Sequence, residues 1–247
     1  MITFWSNVTL MAKQVNTMST NQTTNAAKAN VAKRIFNLII LDESGSMHGL
    51  EKMCVDGVNE TIQTIRNAAQ SNPEQKQMFS FITFSGRQMG ELPIRVKTYL
   101  EEIMKVEEFP VTEYVPNGNT PLYDAMGIAL TELEKKVTDD DIALVTVITD
   151  GYENASRMYS QRAIQQLISR LDECGWVFTY IGANQDAMYE SSKIGIKNSL
   201  NFCADEEGMK RMWKKERRSR DIFYQKSSYK RMGDEDLKGN YFDNDNE

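Results

Sequence analysis

The stretch "RIFNLIILDESGS", residues 34–46, decides how this chain is to be read. From Ile35 to Leu41 it is apolar at nearly every position, as in a central parallel strand covered on both faces. It then empties into one carboxylate and two hydroxyls at i, i+2 and i+4: Asp42, Ser44 and Ser46. All three are hard oxygen ligands, and Gly45 lets the loop bend so that they turn toward one point. A strand that ends in this way raises the question of a divalent metal.

Working outward, Leu50, Cys54, Val58, Ile62 and Ile65 recur at helical spacing and predict a helix of about five turns ending near "SNPE". "MFSFITF" (78–84) is a second strand, and "LPIRVKTY" (92–99) alternates and starts near a proline, as an edge strand does. A Pro-Asn-Gly loop, "VPNGNTPLYDA" (115–125), feeds the next helix. "IALVTVITD" (142–150) is a buried strand ending in an acid, followed by "GYEN" and an amphipathic helix around "AIQQLISRLDEC". "WVFTYIGA" (176–183) and "SLNFCA" (199–204) complete the strands. Alternating strands and helices predict an α/β fold: a doubly wound, mostly parallel sheet with helices on both faces and one antiparallel edge strand.

In such sheets ligands bind outside the carboxyl ends of the strands, where the strand order reverses. Two of the strongest strands end in Asp42 and Asp150, and a third loop delivers Thr120 just before its helix. If the two strands are neighbours, the rim gathers Asp42, Ser44, Ser46, Thr120 and Asp150, an all-oxygen set suited to Mg²⁺ or another divalent cation such as Mn²⁺ or Ca²⁺. "DESGS" after one buried strand, "GNTPLYDA" some way downstream and "ITDGYEN" after another resemble the three metal-binding pieces of the von Willebrand factor type A (VWA) domain. The first matches that family's D-x-S-x-S, Thr120 falls at its lone threonine and Asp150 at its T-D-G aspartate. The resemblance covers residues 33–204 and is closest to intracellular bacterial and phage-like members. It implies a metal ion-dependent adhesion site (MIDAS) in which Ser44, Ser46 and Thr120 bind the ion directly. Asp42 and Asp150 would act directly or through ordered waters. It also implies an open coordination position for an Asp or Glu from a protein partner. A further "IGANQDA…GI" segment, 181–196, fits the same resemblance but carries no chemistry that the residues explain.

Asp42, Ser44 and Asp150 have a helix- or turn-capping alternative. His48, the only histidine, shares the first loop but has no placed nucleophile. Glu43 and Glu153 raise a two-carboxylate hydrolase, read against the abundance of surface acids. Asp124 and Asn154 are expected to brace the motif loops. Neither G-x-x-x-x-G-K-[ST] nor G-x-G-x-x-G occurs, so no nucleotide site is supported. An aspartyl-phosphate hydrolase would want an Asp where Ser44 stands. The function expected is a divalent-metal-dependent protein-binding module and not an enzyme. The alternatives are a scaffold subunit of an ATPase, chelatase or stress-resistance complex and, from another class, a metal-dependent hydrolase.

The net charge of −6 is unevenly placed. Residues 33–205 carry 16 basic and 25 acidic side chains, 206–231 carry ten and four, and 232–247 carry one and six, so the overall charge identifies no partner. Residues 1–32 are expected to be a disordered arm, 205–231 a basic amphipathic helix on the domain, and 232–247 an acidic disordered tail. The basic face is read as solvated or meeting that tail, in preference to nucleic acid or anionic lipid. Cys54, Cys174 and Cys203 are odd in number and are expected to be reduced core thiols. With no membrane span and a poor secretory signal at the start, the expected location is cytoplasmic.

Overall fold

Every residue of strand β1 (Arg34–Asp42) after the first is buried, so a layer of apolar side chains must cover each of its faces. The computed structural model describes residues 34–86, 92–183, 186–228 and 235–242, and the expected N-terminal arm lies outside them. After β1 come helix α1 (Glu51–Ser71), strands β2 (Lys76–Phe84) and β3 (Ile94–Glu102), α2 (Leu122–Glu134), β4 (Ile142–Thr149) and α3 (Gln161–Glu173). Then follow β5 (Val177–Ala183), α4 (Ala187–Lys193), β6 (Asn198–Phe202), α5 (Glu206–Ser227) and a single turn, α6 (Glu235–Lys238). The strands form one sheet in the order β3-β2-β1-β4-β5-β6. Strand β3 runs antiparallel to β2 at one edge and the other pairs are parallel, as the sequence predicts.

The two-residue period of the strands divides the core into two layers. On one face Ile35, Ile39 and Leu41 of β1 and Leu144 of β4 join a cluster with Val58 and Ile62 of α1 and with Met209, Met212 and Trp213 of α5. On the other, Phe36, Leu38 and Ile40 are buried beneath α2 and α3, which contribute Met126, Leu130, Ile164 and Leu171. From β1 the sheet grows outward through β2 and β3, and from β4 outward through β5 and β6. The reversal falls between β1 and β4, which pair in register with Leu41 opposite Ile148. Asp42, the last residue of β1, and Asp150, the first after β4, therefore stand at adjacent strand ends.

Helix α5 belongs to the domain core. The Trp213 indole lies against Gly57 of α1, where a β-carbon would stand 1.9 Å from the ring, so the two helices approach this closely only over glycine. Two turns further on, fully buried Arg220 donates to Glu216 Oε1 (2.8 Å), Thr146 Oγ1 (2.8 Å) and Asn37 Oδ1 (3.4 Å). The Tyr224 hydroxyl donates to Asn37 Oδ1 at 2.7 Å. Asn37 and Thr146, the polar residues inside otherwise apolar strands, are thus the sheet's anchors for α5. The exposed basic side chains of α5 pair largely with nearby acids: Lys210 with Glu206, Arg211 with Glu207, and Arg217 with Glu60 of α1.

Two expectations are revised. Within the stretch read as a disordered tail, Leu237, Tyr241 and Phe242 are buried in the same cluster as α5. Asn198 of β6 ties them down, donating to Lys238 O (2.9 Å) and accepting from Tyr241 N (3.1 Å). Three apolar residues in an acidic run, two of them adjacent, are too few to show a period, and only the neighbouring surface gives them somewhere to go. Of the cysteines, Cys54 is a buried core thiol, whereas Cys174 and Cys203 are exposed.

Candidate metal centre

The five oxygen-bearing residues named from the sequence come together at the β1–β4 switch. After β1 the chain turns sharply, held by Glu43 N donating to Phe84 O (2.8 Å) and Gly45 N donating to Gly118 O (2.9 Å). The second of these bonds brings the loop that carries Thr120 against the first loop. Ser44 Oγ and Ser46 Oγ lie 3.1 Å apart, and Ser46 Oγ donates to Asp150 Oδ1 at 2.7 Å. Thr120 Oγ1 flanks the same point: a β-carbon added at Gly151 would sit 2.9 Å from it and 3.5 Å from Ser46 Oγ. Any side chain at 151 would push the threonine hydroxyl away, which is the reason for glycine after Asp150.

Asp42 is fully buried, and both its oxygens are engaged within the protein. Oδ1 accepts from Ser44 N (2.7 Å) and Oδ2 from Thr149 Oγ1 (2.6 Å), while the Tyr114 hydroxyl donates to the Asp42 carbonyl (2.5 Å). Burial pushes the Asp42 carboxyl up to about 6, against the pull of the Thr149 and Ser44 hydrogen bonds, and the Asp150 charge adds to the rise. Asp150 is raised as well, chiefly by burial, and the Ser46 bond partly restrains it. Among the described residues no cationic side chain ranks with burial and the hydrogen bonds in setting either carboxylate. Two neighbouring acids without a cation are poorly compensated, which is the electrostatic condition a divalent ion relieves.

The donor set fits such an ion. Ligand oxygens around an octahedral Mg²⁺ at about 2.1 Å lie about 3 Å from one another, close to the spacing of the Ser44, Ser46 and Asp150 oxygens here. Among the described residues no three His, Cys, Asp or Glu side chains gather as a metal site. The present arrangement does not need them, because three of its five members are hydroxyls.

The surrounding acids have other work. Asp124 accepts from the backbone N–H groups of Arg157, Met158 and Tyr159, each at 2.8 Å, and Asn154 Oδ1 accepts from Thr120 N at 2.9 Å, so both brace the motif loops as expected. Glu153 accepts from Tyr123 N, Ala155 N and Ser156 N. Glu43, read as one of many surface acids, is instead buried: it accepts from Thr83 Oγ1 (2.6 Å), Arg95 (3.1 Å) and Val115 N (2.8 Å), joining β2, β3 and the Thr120 loop. His48 is exposed and pairs with Glu51 at 2.8 Å. Two supporting residues went unassigned in the sequence. Thr149 lies beside Asp150 in the quoted motif and carried a signal, whereas nothing in the local pattern marked Tyr114.

The family model of the von Willebrand factor type A domain matches residues 38–212, well over half of the chain. The protein belongs to this family. No curated protein matches it. Among solved structures, the VWA chain is similar to proximal thread matrix protein 1 from the mussel byssus, with 15% identity and a TM-score of 0.53 over 74% of this chain and 45% of that one. A form of that protein with a zinc-occupied MIDAS motif matches at 17% identity and a TM-score of 0.55, over 74% and 46% of the two chains. The pilus adhesin SpaC of Lactobacillus rhamnosus GG matches at 12% identity and a TM-score of 0.59, over 77% of this chain and 31% of that chain. The VWA domain of SpRpn10 matches at 13% and 0.50, over 72% and 92%. The chain thus spans less than half the length of the first structures it matches, and at these identities the likeness is one of fold. VWA domains commonly mediate protein–protein interaction and bind a divalent metal at the MIDAS. Among the described residues no helix is long and apolar enough to cross a membrane.

Proposed function

We propose that this VWA domain is a metal-dependent protein-binding module with an intact MIDAS. In this reading Ser44, Ser46 and Thr120 hold a divalent ion directly, and Asp42 and Asp150 hold it directly or through ordered water. The observation that carries the reading is the meeting of the Ser44, Ser46 and Asp150 oxygens at 3.1 and 2.7 Å beside the Thr120 hydroxyl, with two carboxylates and, among the described residues, no cation paired with them. The hardness of the ligands favours Mg²⁺ over softer ions, with Mn²⁺ and Ca²⁺ as substitutes. When bound, the ion supplies positive charge and a coordination position for an Asp or Glu of a protein partner. Both oxygens of Asp42 are already engaged by Ser44 N and Thr149, which favours its contact through water.

A binding role is favoured over hydrolysis because Glu43 and Glu153, the two acids that raised a hydrolase, are taken up in fastening loops. An intracellular, cytoplasmic setting is supported by two exposed free thiols, Cys174 and Cys203, which persist most readily in a reducing compartment.

Calorimetry on wild type and Asp42→Ala tests the metal, and equal Mg²⁺ binding by both proteins would refute it. A pull-down from the native cell, with and without EDTA, tests the partner. Capture by wild type in Mg²⁺ that is lost in EDTA and in Thr120→Ala supports the reading. A partner retained under every condition refutes it.

A further inference from the structure

Seven large hydrophobic side chains stand exposed among the described residues, and five of them belong to segments at the carboxyl-end rim of the sheet: Val115, Tyr152, Met158, Met188 and Tyr189. Their placement follows the strand order. Val115 lies on the β2 side of the metal centre, its N–H bonded to Glu43, whose side chain also reaches Thr83 of β2. Tyr152 lies on the β4 side, directly after Gly151, where an added β-carbon would meet Thr120 and Ser46. Met188 and Tyr189 open helix α4, just beyond the end of β5. These four are 54%, 57%, 69% and 59% exposed. The Tyr189 ring is held in place by Lys193, whose ammonium lies 4.2 Å from its centroid and pairs with Glu190 at 2.7 Å. Exposed apolar side chains concentrated at one edge mark a contact surface, whereas scattered ones do not.

We infer that the partner's acid is carried in an extended segment, with large apolar side chains close to it on both sides. This inference rests on the metal-dependent binding proposed above and specifies its ligand. Strands lie about 4.8 Å apart, so the line from the end of β2 across β1 and β4 to β5 is about 14 Å long. An extended chain covers about 3.3 Å per residue, so roughly four residues cross it. A carboxylate seated between β1 and β4 would therefore bring side chains within about two residues of it onto Val115 on one side and onto Tyr152 and Tyr189 on the other. A compact acidic loop would reach the ion while leaving both aromatic rings in water. The apolar line thus favours the extended segment.

The test uses immobilised heptapeptides with a central Asp flanked at both second positions by either Leu or Ser, and the full chain in Mg²⁺ or EDTA. The Leu-flanked peptide is expected to retain about tenfold more protein than the Ser-flanked one, in Mg²⁺ only. Tyr152→Ser combined with Tyr189→Ser removes two exposed rings. That variant should keep Mg²⁺ binding by calorimetry but retain no more on the Leu-flanked peptide than on the Ser-flanked one. Mg²⁺-dependent retention that ignores the flanks or the double substitution overturns this inference and leaves the proposed function standing. So does Mg²⁺ binding with no peptide retention. Absence of Mg²⁺ binding overturns both.

Discussion

Replacing Arg220 by methionine removes a guanidinium that joins α5 to the sheet, and the structure allows its cost to be worked out. Arg220 is fully buried and contacts Glu216 Oε1 through two nitrogens, at 2.8 and 2.7 Å. Glu216 Oε2 has no hydrogen-bond partner among the described residues, and the other described bond to Oε1 comes from the Tyr241 hydroxyl at 3.3 Å. Without Arg220 the glutamate is left as a buried charge with one weak donor, a situation that costs about 3–5 kcal/mol. Asn37 keeps its bond from Tyr224 and Thr146 its bond from Thr179, so the loss is concentrated on Glu216. With a urea m-value of about 2 kcal/mol/M, the unfolding midpoint of Arg220→Met should fall by roughly 1.5–2.5 M. The double variant Glu216→Leu with Arg220→Met removes the stranded charge along with its partner and should recover at least about half of that loss. Equilibrium urea unfolding of the three proteins reads both effects. A loss below about 1 kcal/mol in the single variant, or no recovery in the double, would refute the view that a buried ion pair fastens this helix.

Two further outcomes follow from single contacts. Gly151→Ala places a methyl 2.9 Å from Thr120 Oγ1, so Mg²⁺ affinity by calorimetry should fall about tenfold while the thermal midpoint hardly moves, because the rim lies above the core. Phe242→Ala, in a stretch whose composition reads as a dispensable tail, should cost about 2 kcal/mol in urea unfolding, because the ring is buried against Tyr241 at 4.9 Å between centroids.

The sequence alone determined what is local. Strand and helix periods are set by which residues recur at spacings of two and three to four, so the doubly wound sheet was legible before any contact was known. Asp42, Ser44 and Ser46 were legible as a group because one short loop carries all three. Tertiary structure decided whether that loop meets anything. Asp42 and Asp150 are 108 positions apart in the chain and converge because β1 and β4 are neighbours, a pairing that depends on the order of the whole sheet. The same holds for Glu43, whose acidity suggested the surface until β2, β3 and the Thr120 loop closed over it, and for Arg220, whose place in a basic run gave no hint of burial. A charged side chain is drawn inside only where distant residues supply its hydrogen bonds. Those partners are brought together by folding and leave no local period in the sequence.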